Sequence, residues 1–174
     1  VAKSDDISAN TAYYGGILGD LGTNALLENC VSDVYVNNLD DGYAGGLVGR
    51  TGGQIKNCYA IGVVEGNNAS GWSRLGGISS MLYTAYPGTI YNCFFTGSVK
   101  GFSYSNGGIV GGAESSVSPQ VENCIMFGES VSDVSSGSRI GLRNTARGTI
   151  RNNYAWTGTM VGKASVLSKD ATSK

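Results

Sequence analysis

The chain contains no histidine, only 2 prolines in 174 residues, and few charges, with Asp, Glu, Lys and Arg together at 14%. Without an imidazole, Ser-His-Asp and Cys-His arrangements, HExxH zinc sites and histidine general bases are all excluded. Twelve basic residues face thirteen acidic ones with no long run of either sign, which leaves no electrostatic footprint for nucleic acid or anionic lipid. No nucleic-acid partner is expected. No apolar run approaches the roughly 18–20 residues of a membrane-spanning helix, so no membrane insertion is expected either. Helical periodicity is also missing. No GxGxxG or P-loop pattern follows a strand-to-helix passage, and no cofactor is expected. There is no recognisable signal peptide, yet the chain opens on Val1 rather than Met, which points to a processed or excised segment.

What is abundant is glycine, at 28 residues, within a chain that is 41% apolar and therefore able to fold. Four near-copies of one pattern recur: GGILG…LLENC, GGLVG…QIKNC, GGISS…TIYNC and GGIVG…QVENC. A decayed fifth, IGLRN…TIRNN, follows them. Leading positions Gly15, Gly45, Gly76, Gly107 and Ile140 set periods of 30, 31, 31 and 33 residues. A fixed period of this size describes units that cannot bury a hydrophobic face alone and must stack on their neighbours.

Residues 45–75 show what one unit folds into. Three short β-prone runs, at Leu47-Val48, Gln54 through Ala60 and Val63-Val64, are punctuated by glycine or asparagine. Helix is disfavoured because each glycine costs about 1 kcal/mol relative to alanine in a helix. Strands separated by tight turns remain, with Gly49, Gly62 and Gly66 supplying positive φ or close backbone approach. The expected fold is all-β, a single right-handed parallel β-helix (β-solenoid) of about five coils with roughly 30 residues per coil. Its expected organisation is an N-terminal cap or linker over 1–14, five repeats over 15–162, and a C-terminal tail or cap over 163–174. Two apolar ladders form its expected core: Ile17, Leu47, Ile78, Ile109 and Leu142, then Leu27, Ile55, Ile90, Val121 and Ile150. Asn29, Asn57, Asn92, Asn123 and Asn152 form a third column, read as side-chain amides hydrogen-bonding from coil to coil at the sheet spacing of roughly 4.8 Å.

The pattern GG[IL]xG followed by [IV]xNCYAxGxV resembles the GLUG repeat, best in residues 45–64, GGLVGRTGGQIKNCYAIGVV. Similar units extend over about residues 15–162. The resemblance implies a bacterial surface or secreted protein, either adhesin-like or related to the region preceding the catalytic part of immunoglobulin A peptidases. It implies an extracellular or cell-surface location and says little about activity. The sequence departs from the pattern at Ser79-Ser80 and at Asn153, which read as drift, the second suiting a terminal coil.

Cys30, Cys58, Cys93 and Cys124 share one repeat position and form a column. Such a column does not converge tetrahedrally, so no metal site is expected. A reduced ladder is preferred because free cysteine packs as a small hydrophobe. The spacing also permits disulfides, which would pair Cys30 with Cys58 and Cys93 with Cys124.

Glycosidase chemistry needs two carboxylates about 5–10 Å apart. Here Asp33 and Asp133 have no acidic partner at the same position in neighbouring coils, and Asp40-Asp41-Gly42 reads as a turn. No catalytic residues are assigned, and the expected role is a non-catalytic stalk or binding module. The alternative is a polysaccharide lyase or hydrolase using carboxylates. The stretches between repeats place Tyr43, Trp72, Phe102 and Tyr104 beside Asp41 and Arg74, a mixture of aromatic faces and hydrogen-bonding groups suited to a sugar. The expected partners are therefore carbohydrate or a host or matrix protein. Exposed coil ends add end-to-end self-association into a fibre.

Overall fold

The computed structural model describes residues 2–3, 12–38, 42–67, 73–83, 88–102, 105–114, 118–128, 130–131, 141–143, 148–156 and 160–161. Among these residues every regular element is a strand, and all strand pairs are parallel across four sheets. The chain visits the sheets in turn and then returns to the first. Strands Tyr13–Gly15, Tyr43–Gly45, Arg74–Gly76 and Ser105–Gly107 stack as the first sheet. Leu18–Leu21, Val48–Thr51, Ser79–Leu82, Val110–Ala113 and Gly141–Arg143 form the second. Leu26–Glu28, Gln54–Lys56, Thr89–Tyr91, Gln120–Glu122 and Thr149–Arg151 form the third. The long strands Val31–Asn38 and Tyr59–Asn67 lead the fourth, a nine-stranded sheet. This is a β-solenoid, and repeat period and structural register coincide: Gly15, Gly45, Gly76 and Gly107 lie opposite one another.

The corners follow from backbone sterics. A Cβ on Gly45 would collide with the Val48 carbonyl oxygen, and Gly15 and Gly76 meet the same obstruction from Leu18 and Ser79. The GG pair is therefore a steric requirement for the sharp bend between the first two sheets. Every asparagine of the Asn-Cys motif adopts a left-handed conformation: φ is 56° at Asn29, 54° at Asn57, 51° at Asn92, and 55° at Asn123 and Asn152. Asparagine is among the few L-residues that visit this region readily. The expected run from Gln54 through Ala60 is thus cut at Asn57 into Gln54–Lys56 and Tyr59–Asn67. Conversely, Val63-Val64 is continuous with Tyr59, bending only at Gly62 with φ 102°.

The interior is made of ladders. Leu47, Ile78 and Ile109 are fully buried at the glycine bend, as are Ile55, Ile90 and Val121 in the third sheet. Leu27 is buried, and Ile150 is partly buried against the same core. Ile17 is a correction. It is 38% exposed because its flanking strands pair on one side only, and its amide reaches back to the Leu47 carbonyl. Leu142 is a second correction. Val110 and Gly112 face Gly141 and Arg143, so Leu142 stands opposite Gly111, and the register offset is 31 rather than the 33 expected. Apolar spacing pairs Leu142 with Ile109, whereas the strand register sets the ladder.

Ser79 and Ser80 are also more than drift. Both are fully buried, Ser79 Oγ lies 2.9 Å from Thr51 Oγ1, and Ser80 Oγ donates to the Gly49 carbonyl. The hydroxyls satisfy one another and the backbone across two coils. At the N-terminal end, strand Ala2–Lys3 pairs with Val36–Asn37, while the expected tail at 163–174 lies outside the described residues.

Candidate functional site

Where the GG bend brings the first two sheets together, their outward side chains meet in a seam. One wall is the register column Tyr13, Tyr43, Arg74 and Ser105; the other is Asp20, Arg50, Met81 and Gly112. Arg50 crosses between them. Its Nη1 donates to Tyr13 Oη at 2.8 Å, its Nη2 donates to Asp20 Oδ2, and its guanidinium carbon sits 4.0 Å from both the Tyr13 and Tyr83 ring centroids. Tyr83 Oη donates to Asp20 Oδ1 at 3.1 Å, closing the cluster. Tyr13 stacks on Tyr43 with centroids 5.4 Å apart.

Arg74 fills the next step of the seam. Nη1 lies 3.3 Å from Tyr43 Oη and 3.1 Å from Met81 Sδ, and a Cβ on Gly112 would come within 2.9 Å of Arg74 Cδ. Glycine at 112 leaves the room that the arginine stem occupies. The planar guanidinium suits this place because it can stack on a ring while donating in its own plane.

Electrostatics reinforce the arrangement. Burial pulls the Arg50 pKa down, but the hydrogen bond and charge of Asp20 outweigh it and the net shift is upward. Burial raises Tyr13 and Tyr83 against the lowering effect of Arg50.

Of the sequence-derived candidates, Tyr43 and Arg74 are brought into contact. Asp41, Trp72 and Tyr104 lie outside the described residues, as does the acid Asp133. The backbone of Phe102 ends strand Ser98–Phe102 opposite Asn67, and its side chain lies outside the description. Tyr13, Asp20, Arg50 and Tyr83 were missed. A signal existed for Tyr13, since it precedes Gly15 by two as Tyr43 precedes Gly45. Contacts of Arg50 with residues 37 positions before and 33 after it emerge only once register is known.

The two motif columns have structural roles. Asn92 Nδ2 donates to Asn57 Oδ1 at 3.1 Å, but Asn57 Nδ2 turns to Glu28 Oε1 at 3.3 Å rather than to Asn29, so the expected amide ladder exists only in part. The four thiols are free. Each donates to the carbonyl two residues back: Cys30 to Glu28 at 3.2 Å, Cys58 to Lys56 at 3.1 Å, Cys93 to Tyr91 at 3.1 Å and Cys124 to Glu122 at 3.3 Å. The hydrogen bond with Cys124, together with burial, pushes the Cys93 thiol up to about 12, and Cys58 is raised further through its bond with Cys93. Such thiols are poor nucleophiles at neutral pH.

A stack of parallel coils with glycine and asparagine corners and an outward aromatic–arginine seam defines a β-solenoid repeat protein. The family model described as the GLUG motif matches residues 40–65, which hold the Tyr43 strand, the glycine bend and the Asn57-Cys58 corner, so this stretch of the chain is a GLUG motif. No curated protein and no solved structure matches the chain.

Proposed function

We propose that this chain is a non-catalytic binding section of a bacterial surface or secreted protein, a right-handed β-helix of five coils that holds carbohydrate in the seam between its first two sheets. The observation that carries this reading is the Arg50 guanidinium held against the Tyr13 and Tyr83 rings and paired with Asp20. Ring edges and faces offer apolar surface to a pyranose, while the arginine and carboxylate offer paired donors and acceptors to adjacent hydroxyls. Tyr43 extends the same strip along the stack, and Arg74, itself buried, holds it in place through its contacts with Tyr43 Oη and Met81. A glycan presented by a host or matrix protein fits an adhesin-like role, and coils continued end to end would carry the strip into a fibre.

The reading is tested by titrating the full chain against neutral and acidic polysaccharides. Arg50→Ala and Tyr43→Ala are each expected to weaken binding by about tenfold, with the β-sheet circular dichroism unchanged. Turnover of a polysaccharide, lost in Asp20→Asn, would replace this reading with that of a carboxylate-dependent lyase or hydrolase.

A further inference from the structure

Strand Val31–Asn38 is treated differently along its two edges. On one edge all eight residues pair in parallel with the strand Tyr59–Asn67. On the other, Ala2–Lys3 pairs with Val36 and Asn37, and no further strand among the described residues joins it. The short strand lies in the register of a coil step. Followed down the fourth sheet, the position of Ala2 continues as Val36, Val64, Val99, Val131 and Val161. Ala2 therefore holds the slot that Val161 of another last coil would take if the stack continued.

The other strands of the first coil end their sheets on the same side. Tyr13–Gly15, Leu18–Leu21 and Leu26–Glu28 each pair with a strand of the second coil alone. Backbone bonds between coils run in a repeating series at the asparagine corner: the Asn29 N–H donates to the Lys56 carbonyl, Asn57 to Tyr91, Asn92 to Glu122 and Asn123 to Arg151. The next acceptor in that series is the Glu28 carbonyl, and the next donor is the Asn152 N–H of a last coil. Strand edges with ladder positions to spare are templates for a further strand.

Side-chain exposure marks the same ends. Among the described residues every exposed large hydrophobic side chain belongs to the first coil, as Ile17, Leu26, Val31 and Tyr35, or to the last two coils from Ile125 onward. The second and third coils contribute none. Ile17 shows the reason, because its ladder partners Leu47, Ile78 and Ile109 are fully buried by a coil on each side and it has a coil on one side only.

We propose that this open end of the first coil docks the last coil of a second copy, and that Ala2–Lys3 governs access to it. The inference rests on the end-to-end continuation in the proposed function and adds which strands meet and what holds them apart. The occupant is a copy of the chain because the contact is the one each coil already makes with the next. Continuing the registers sets Tyr154–Ala155 of one copy beside Val31–Ser32 of the other, and Met160–Val161 beside Tyr35–Val36. The first pairing finds an open edge. The second meets Ala2 at Val36, so the seated strand leaves before the ladder closes. That strand holds two positions, whereas an incoming coil gains positions in the second, third and fourth sheets, so exchange favours the coil. A head-to-tail contact of this kind does not close on itself and grows as a filament.

Sedimentation velocity and electron microscopy of the full chain at about 1 to 500 µM test the proposal. Apparent affinity for stacking scales with the fraction of chains whose slot is open. Ala2→Pro with Lys3→Pro, which removes both amide donors of the short strand, is therefore expected to bring elongated oligomers at about tenfold lower concentration than the parent. Ile17→Lys, at an exposed site of the first coil, and Val161→Pro, in the incoming strand, should each abolish that gain with the β-sheet circular dichroism retained. Equal association of parent and proline variant overturns control by Ala2–Lys3 and leaves end-to-end stacking standing. Absence of association in both overturns the docking and the end-to-end continuation with it, while carbohydrate titration of the same samples reports on the seam independently. A dimer that does not grow, or filaments indifferent to Ile17→Lys and Val161→Pro, overturns the proposal by placing the contact elsewhere.

Discussion

Asn153 stands where the motif cysteine would be and keeps the cross-coil hydrogen bond of that position: its Nδ2 donates to the Val121 carbonyl at 2.8 Å, and its Oδ1 in addition accepts from the Cys124 backbone N–H at 2.9 Å. The corresponding carbonyls of Leu27, Ile55 and Ile90 receive thiols, at longer distances of 3.5, 3.8 and 3.7 Å. The substitution therefore exchanges a weak donor for a strong one at a buried site. Asn153→Ala would leave the Cys124 amide and the Val121 carbonyl without these partners, and a loss of about 1–3 kcal/mol is expected in urea unfolding. Asn153→Cys should recover most of it by restoring the thiol ladder.

The asparagine corners carry a second expectation. With φ at 54°, Asn57 occupies a region that costs an ordinary L-residue roughly 1–2 kcal/mol. Asn57→Ala should lose about that amount of stability, whereas Asn57→Gly, which has no Cβ to clash, should lose less. Equal losses in a denaturant titration would assign the column to its side-chain bonds with Glu28 and Asn92 instead of to its backbone.

The repeat made the architecture legible, because Gly45, Ile55, Asn57 and Cys58 each recur at the period the sheets adopt. Side-chain identity alone did not disclose why asparagine recurs. A polar residue ending a strand at every coil is compatible with an amide ladder or a left-handed corner, and only φ separates them. Ile17 carried the pattern of a core residue, but burial depends on a neighbour on both sides, and its strands have one. Half of the seam was invisible for a related reason. Tyr43 and Arg74 stood out as loop-flanking residues, whereas Arg50 and Asp20 look like ordinary surface charges until register 30 residues apart sets them together. The apolar residues that follow Asn-Cys, such as Ile125 and Phe127, are exposed in the fold, but one strand in isolation does not say which residues alternate outward.

Thiol titration gives stability a defined pH dependence. Cys93 has an ordinary thiol pKa of 9.0 that rises to about 12 in the fold, so between these values the folded chain holds a proton that the unfolded chain has released. Stability from this source is fully present below pH 9 and falls as pH rises through that window. Cys58 and Cys30 are raised as well and act in the same direction. Urea midpoints should therefore be flat from neutral pH to about 8.5 and decline above 9. Cys93→Ala should be less stable at pH 7, because it removes buried volume, yet show a shallower decline. Cys30, Cys58, Tyr13 and Tyr83, also raised, persist in that variant and contribute its remaining slope.

Two glycines 23 positions apart, Gly22 and Gly45, provide the sharpest separation between structural necessity and tolerance. A Cβ at Gly45 would run into the Val48 carbonyl and the Ser79 backbone, neither of which can move without opening two sheets. A Cβ at Gly22 would meet nothing within 4 Å. Gly45→Ala is accordingly expected to cost about 3 kcal/mol or more, at the severe end for single substitutions, through forced displacement of the bend and of the Leu47 ladder behind it. Gly22→Ala should be neutral or gain up to about 1 kcal/mol, because the unfolded chain loses freedom that the folded chain never used. Thermal and urea unfolding of the two variants side by side checks both. A Gly45→Ala protein as stable as the parent would mean that the GG bend relaxes, and the repeat's most regular feature would then need an explanation outside backbone sterics.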